Sequence, residues 1–147
     1  MLSDTHIFLF QELSPVIKNE LNSADLIIHT GDFTGIDVLN GLRNIAEVKA
    51  VKGNMDPFEI RHELPEQDIF QVKGKTIGII HGWGSPQGLK DKIISRFNKV
   101  DMIIYGHTHQ AQDIIINGIH VFNAGSAQKS FGIIDIDTTI QSRIITI

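Results

Sequence analysis

A chain of 147 residues, 41% hydrophobic and 20% charged, is long enough to bury a sizeable core and is expected to form one domain over residues 1–147. Its formal charge of −4 offers no basic field to a nucleic-acid polymer, and no run approaches the ~20 apolar residues that span a bilayer. Cysteine is absent, which excludes disulfides and thiolate metal sites together; the first residues lack a basic region followed by an apolar core, so no signal peptide and a cytoplasmic protein are expected.

Ser14-Pro15 reads as an N-cap followed by proline at the first helical position, opening a helix over 15–21. An apolar strand over 26–29 precedes a short helix over 36–43, with Ile36, Val38, Leu39 and Leu42 on its apolar face, and a strand over 48–51. Strands over 69–72 and 76–80 pair around Lys73-Gly74-Lys75. Ser85-Pro86 repeats the capping signal and predicts a helix to Phe97, before a continuous apolar strand over 101–105. Such runs alternating with helices are the mark of strands covered on both faces. The last third is hairpin-rich: 113–116 with 119–123 around Asn117-Gly118, suited to a type I′ turn, then 131–135 with 140–147. The expected class is α/β at first and β-hairpin-rich later, two packed mixed sheets with helices outside.

Chemistry gathers where apolar runs end. Asp4-Thr5-His6 opens the chain; Leu26-Ile27-Ile28-His29-Thr30-Gly31-Asp32, Val51-Lys52-Gly53-Asn54 and Ile79-Ile80-His81-Gly82 follow; Ile103-Ile104-Tyr105-Gly106-His107-Thr108-His109 is the fifth junction. Each alone is weak, since Gly-Asp after a strand is a common turn in which Asp binds nearby amides. His29 and His120 are read as core or supporting histidines and His62 as a surface-loop residue. His107 and His109 are different: alternate residues of an extended segment project to one side, and two exposed imidazoles add little to packing. Asp4 and His6 have the same spacing. Strand ends of α/β sheets are where ligands bind, and clustered His and Asp there point to a metal or catalytic site. Without thiolates the donors suit Mn, Fe, Ni or Zn.

With these five motifs in this order, nearly the whole chain resembles the calcineurin-like metallophosphoesterase family, and most of all its small single-domain YfcE-type phosphodiesterases. The resemblance implies a four-layer α-β-β-α sandwich of two mixed sheets, with two divalent ions at the strand C-terminal ends, Mn being expected and Ni, Fe or Zn alternatives. It implies Asp4, His6, Asp32 and His109 on one ion and Asn54, His81 and His107 on the other, with Asp32 bridging and Asp32, Asn54 and His81 catalytic. The implied activity is hydrolysis of a small phosphodiester by a hydroxide held between the ions.

The chain departs from the family in three places. Met55 stands where larger members carry a histidine that serves the leaving oxygen; methionine has no proton to give, which favours diesters or good leaving groups and leaves Asp56 without that partner. Ala124 replaces a proline before Gly125. Only Met1-Leu2-Ser3 precede Asp4, so either the true start lies upstream of Met1 or the first strand is cut short and Asp4 less well anchored, and Ile7 follows His6 where glycine is usual. Alternative readings are a non-catalytic protein-interaction scaffold, as in a retromer subunit of similar fold, whose mark would be eroded ligand positions, and a nuclease, which the acidic charge disfavours. Substrate selection is assigned to loops 33–35, 57–65 and 83–88, with Trp83 read as either stacking on a base or packing beside the site, packing being the commoner role of a lone aromatic. The exposed hairpins leave room for a homo-oligomer.

Overall fold

Apolar runs that alternate with amphipathic helices must be covered on both faces, and a computed structural model describing residues 1–147 shows how this is done. Helix α1 (Pro15–Leu21) starts where expected, its Ser14 Oγ accepting from Val16 N at 3.3 Å. Strand β1 (Leu26–His29) runs parallel to β2 (Glu47–Ala50), joined through α2 (Ile36–Arg43). After α3 (Phe58–Glu63), strands β3 (Gln67–Val72) and β4 (Lys75–Ile80) form an antiparallel pair. Then come α4 (Leu89–Ile94), β5 (Met102–Tyr105), β6 (Gln112–Ile116), β7 (Ile119–Asn123), β8 (Ser130–Ile136) and β9 (Ile140–Thr146).

One sheet is five-stranded and mixed, in the order β3-β4-β5-β7-β6, with β4, β5 and β7 parallel. In place of a second continuous sheet there are two pairs, β1-β2 and β8-β9, bridged by the first seven residues. On one side Leu2 N donates to Ile28 O at 2.8 Å, Asp4 N to Gly31 O at 3.0 Å and His6 N to Asp32 O at 3.1 Å. On the other, Gly132 N donates to Met1 O at 2.9 Å and Ala127 N to Ser3 O at 2.8 Å. The segment is no regular strand because Asp4 and His6 are left-handed, at φ 51° and 49°. Asp4 is nonetheless held from both sides, contrary to the loose anchoring expected from the short lead-in.

Three apolar clusters fill the interior. Leu13, Ile17, Leu21, Leu39, Leu42 and Ile60 join α1, α2 and α3 to Ile27 and Phe131. Ile28, Val51, Ile77, Ile79, Met102, Ile104 and Phe122 pack between the β1-β2 pair and the five-stranded sheet, with Ile134 and Ile144 against them. Leu89, Ile93 and Phe97 lie on the other face, with Ile80, Ile103, Tyr105 and Val121. The α/β reading holds, with helices on the outside of sheets. No helix is long and apolar enough to cross a membrane.

Some local expectations need correction. The helix predicted from Ser85 begins at Leu89, because residues 85–88 turn instead and Gly88 takes φ 71°. The β3-β4 connection is two residues, Lys73 and Gly74 at φ 47° and 80°, matching the Asn117-Gly118 turn at 51° and 80°. Helix α3 lies inside a segment expected to be loop, and His62 sits on it.

Candidate metal centre

Parallel pairing places the carboxyl ends of β1, β2, β4 and β5 on one edge, and Asp32, Asn54, His81, His107 and His109 follow those ends within a few residues. The bridging segment brings Asp4 and His6 beside them. Close approach is possible because Gly31 and Gly53 lie back to back: a Cβ on Gly31, which has φ 93°, would stand 2.6 Å from Gly53 N, and one on Gly53 would collide with the Asp32 carboxylate. Backbone geometry singles out the same residues. Asp4, His6, Asp32, His107 and His109 all have φ between 49° and 67°, a region that costs a side-chain-bearing residue energy and collects at functional sites.

All seven expected residues meet. His109 Nε2 is 3.2 Å from Asp4 Oδ1 and 3.3 Å from His6 Nε2; His6 Nε2 is 3.9 Å from Asp32 Oδ2. The same Asp32 oxygen is 3.3 Å from His81 Nε2. Asn54 Oδ1 completes the chain, 3.2 Å from His81 Nε2 and 3.1 Å from His107 Nδ1. Two sets of donor atoms lie within 4.8 Å of one another: Asp4, His6 and His109, and Asp4, Asp32 and His81. Asp4 is common to both sets, and Asp32, the expected bridge, lies between them, its Oδ2 3.9 Å from His6 Nε2 and 3.3 Å from His81 Nε2.

The residues fit a cation. Asp4 is fully buried, and its Oδ2 accepts from Ser3 Oγ and from His107 N at 3.1 Å, but its Oδ1 has no hydrogen-bond partner. A buried, unsatisfied carboxylate oxygen is costly, and here it faces an imidazole nitrogen in a group of further lone-pair donors. A divalent ion would satisfy Asp4 Oδ1 together with the nitrogens of His6 and His109. The outward nitrogens are oriented for this. His81 Nδ1 donates to Thr30 O at 2.6 Å, and His107 Nε2 to Gly84 O at 2.8 Å, so the other ring nitrogen of each is turned inward.

Electrostatics within the set are strongly coupled. Burial pushes the Asp32 carboxyl upward, but His81, the Met55 N–H and His6 outweigh it and leave it below the usual carboxylate range. For His81 burial acts downward, and Asp32, Asp4 and the Thr30 carbonyl overcome it to raise the imidazole. Metal binding requires neutral imidazole, so a cation and a proton compete for His81.

Several supporting residues were invisible as such in the sequence. Asp56, expected to lack its partner, is buried and fully engaged: Oδ2 accepts from Gly53 N at 2.7 Å and Asp32 N at 3.2 Å, and Oδ1 from Phe33 N at 2.6 Å and Thr34 N at 3.2 Å. It therefore positions the Asp32 turn. Asn123 Nδ2 donates to Gly106 O at 3.0 Å, and Ser126 Oγ to Asp4 O at 2.9 Å, tying the segment around Ala124 to the His107 and Asp4 loops. His29 is a core residue, as expected: it stacks on Phe33 at 3.6 Å, its Nδ1 accepts from Gly31 N at 3.1 Å, and burial holds its pKa well down. Trp83 is 41% exposed and lines a cavity that Asn54 and His81 share.

The model of the calcineurin-like phosphoesterase superfamily domain matches residues 1–139. A probable metallophosphoesterase of Methanocaldococcus jannaschii is 34% identical over 157 aligned positions, which cover 100% of this chain and 80% of that protein. A structure described as a novel archaeal phosphodiesterase superposes with a TM-score of 0.75 at 25% identity, covering 99% of this chain and 97% of its own. Vps29 of Entamoeba histolytica shares the fold at a TM-score of 0.76 and 23% identity, with 99% and 97% covered.

Proposed function

We infer that this chain, which belongs to the calcineurin-like phosphoesterase superfamily, hydrolyses a small phosphodiester at a site built by Asp4, His6, Asp32, Asn54, His81, His107 and His109. The observation that carries the reading is the buried Asp4 Oδ1, which accepts no hydrogen bond and has the His109 imidazole nitrogen beside it at 3.2 Å, amid these donors. Asp4, His6, Asp32 and His109 would hold one divalent ion, and Asn54, His81, His107 and Asp32 a second. When bound, such a pair supplies Lewis acidity to a phosphoryl oxygen and makes water acidic enough to attack near neutral pH.

The chain's own residues set what the site can take. Only two of the seven donors are carboxylates, so the cluster retains its attraction for a phosphate once two cations are held; more carboxylates would cancel it. Asp32 is fixed from behind by Asp56 through its own N–H, while its Oδ1 accepts from Met55 N at 2.7 Å, which leaves Oδ2 facing His6 and His81. Asn54 presents Oδ1 to His81 and His107 and keeps its Nδ2 amide to orient a non-bridging phosphoryl oxygen, while His81, fixed by Thr30 O, would act through the ion it holds. Met55, 58% exposed on the same loop, offers no proton to a leaving alkoxide; diesters with stable leaving groups are therefore preferred to alkyl monoesters.

The test is to strip divalent ions from the protein and follow bis(p-nitrophenyl) phosphate and p-nitrophenyl phosphate as Mn²⁺ is returned. Metal-restored turnover, faster on the diester and absent in Asp32→Ala, is the expected result. Activity indifferent to chelator would overturn it. Metal bound without turnover of either compound would favour a non-catalytic binding scaffold on the fold shared with Vps29.

A further inference from the structure

A cavity of about 360 Å³ opens beside the cluster, with Asn54 and His81 in its wall and Lys52, Arg61, Trp83 and Arg96 beyond them. Three cations and Glu66 give this lining a formal charge of +2, in a chain whose total is −4. None of the three cations is in an ion pair; those of the surface tie Arg43 to Glu63, Lys49 to Glu47 and Arg143 to Asp135. Lys52 Nζ donates to Arg61 O at 3.4 Å, and Arg96 donates through Nε to Gln67 Oε1 at 3.2 Å while its guanidinium lies 5.4 Å from the Trp83 ring centre. The terminal nitrogens of both arginines are thereby available, and a guanidinium presents paired N–H groups at the spacing of two phosphate oxygens. The volume is at the lower end for ligand pockets and suits one arm of a substrate.

We propose that this cavity is a specificity pocket for a second phosphate: the substrate is a nucleotide phosphodiester that carries a further phosphate on the nucleoside arm. The scissile diester sits at the cluster. The remote phosphate is taken by Arg61, Arg96 and Lys52, and Trp83 offers a flat surface to the ring system between them. The assignment rests on the phosphodiesterase reading above and names the substrate class it would act on. In the hydrolysis, water adds to the diester phosphorus and the P–O bond to the leaving group breaks. The electron pair of the broken bond goes to the leaving oxygen, which takes one water proton through solvent or departs as a stable anion; the other proton stays on the product phosphate or is lost to solvent, and the remote phosphate is unchanged.

Two chromogenic esters isolate the claim. Thymidine 5′-(p-nitrophenyl phosphate) and its 3′-phosphorylated derivative share the scissile bond and the leaving group and differ only in the second phosphate. With the Mn²⁺-loaded protein, kcat/KM should be at least about tenfold higher for the 3′-phosphorylated ester, the gain lying mainly in KM, as one added charge-assisted contact would give. The ratio should fall toward one in Arg61→Gln and Arg96→Gln and stay as it is in Arg143→Glu, which alters charge on a distant strand. Equal rates on the two esters, or a preference indifferent to both arginine substitutions, would overturn the proposal.

A second readout does not depend on turnover. Trp83 is the single tryptophan, so its emission reports occupancy of the cavity. Thymidine 3′,5′-bisphosphate should perturb it at lower concentration than thymidine 5′-phosphate, and Arg61→Gln should abolish that difference. If neither ester nor bis(p-nitrophenyl) phosphate is hydrolysed, the phosphodiesterase reading fails, while this titration still decides the pocket: no difference between the two ligands refutes it.

Discussion

Two clusters of histidine with carboxylate stand in this molecule, and they are built on opposite terms. At the junction of β6, β7 and β9, His120 Nε2 meets Asp113 Oδ1 at 2.6 Å and Ser142 Oγ at 3.1 Å, while Ser142 Oγ donates to Asp113 Oδ2 at 2.5 Å. All three residues lie in regular strands, and both Asp113 oxygens, the Ser142 hydroxyl and His120 Nε2 have partners. Both partners use the same imidazole nitrogen, so the group lacks the two-sided relay of a nucleophilic triad; it joins the edge of one sheet to a strand of another. The cluster at the strand ends contains the same residue types, yet one carboxylate oxygen is left over and five of seven residues are left-handed. Satisfied polar groups in relaxed backbone hold a fold together. Unsatisfied ones in strained backbone await something else.

Substitution of the carboxylates is the strongest way to break this contrast. Asp4→Ala should lower Mn²⁺-dependent diester turnover by about 1000-fold, since loss of a ligand exceeds the 10- to 100-fold cost of losing an outer hydrogen-bond partner. Asp113→Ala should leave the rate within about twofold. Steady-state kinetics on bis(p-nitrophenyl) phosphate, with circular dichroism to show both variants folded, decides it; equal losses would mean that neither cluster is special.

Asp56 belongs to the site by position and to the fold by bonding. Replacing it with alanine leaves three buried backbone N–H groups and a partly buried fourth, that of Thr34, without their acceptor, and should destabilise the protein by about 3 kcal/mol in urea unfolding. A cost under about 1 kcal/mol would show that the four donors find other partners.

Much of this was legible in the sequence, for a reason that the two clusters make clear. Strand ends are local events: an apolar run, a glycine, then Asp or His is readable within seven residues, and so were α1, α2 and the Asn117-Gly118 turn. What sequence reading missed is non-local. Asp56 looked idle because its four partners lie on two loops, one of them more than twenty residues earlier. The left-handed backbone at Asp4 and His6 is imposed by hydrogen bonds to residues 31 and 32, and nothing in Asp-Thr-His announces it. Arg61 and Arg96 lie thirty-five positions apart and share a cavity only once α3 and the segment after α4 are packed. The Ser85-Pro86 signal misled because Gly88 follows, and a left-handed glycine stops a helix as readily as a serine starts one.

Met55 sharpens the comparison at a finer scale. Methionine leaves the strained cluster without an acid for the leaving oxygen. Met55→His should therefore raise turnover of an alkyl monoester such as glycerol 3-phosphate relative to p-nitrophenyl phosphate by about tenfold, below the full range for a positioned general acid because this side chain is exposed. An unchanged ratio would mean that the leaving oxygen is served from elsewhere.

The smallest effect concerns protons, and it separates a satisfied histidine from a site histidine by sign. His29 is buried with its pKa held below the unfolded value, so the unfolded chain binds the extra proton and stability falls as pH drops below about 6.5. His81 is raised: in the metal-free protein its contribution is fully present below the unfolded pKa and is lost as pH rises through the folded one. Urea midpoints of metal-free protein at pH 7 and 5.5 should therefore show His29→Gln losing about 1 kcal/mol less than the wild type on acidification, and His81→Gln losing more. Returning Mn²⁺ should erase the His81 difference, because a ligating imidazole has no proton to bind, and should leave the His29 difference standing. If the ion left both differences unchanged, His81 would be a structural histidine like His29 and His120, and the contrast between the two clusters would fail at its centre.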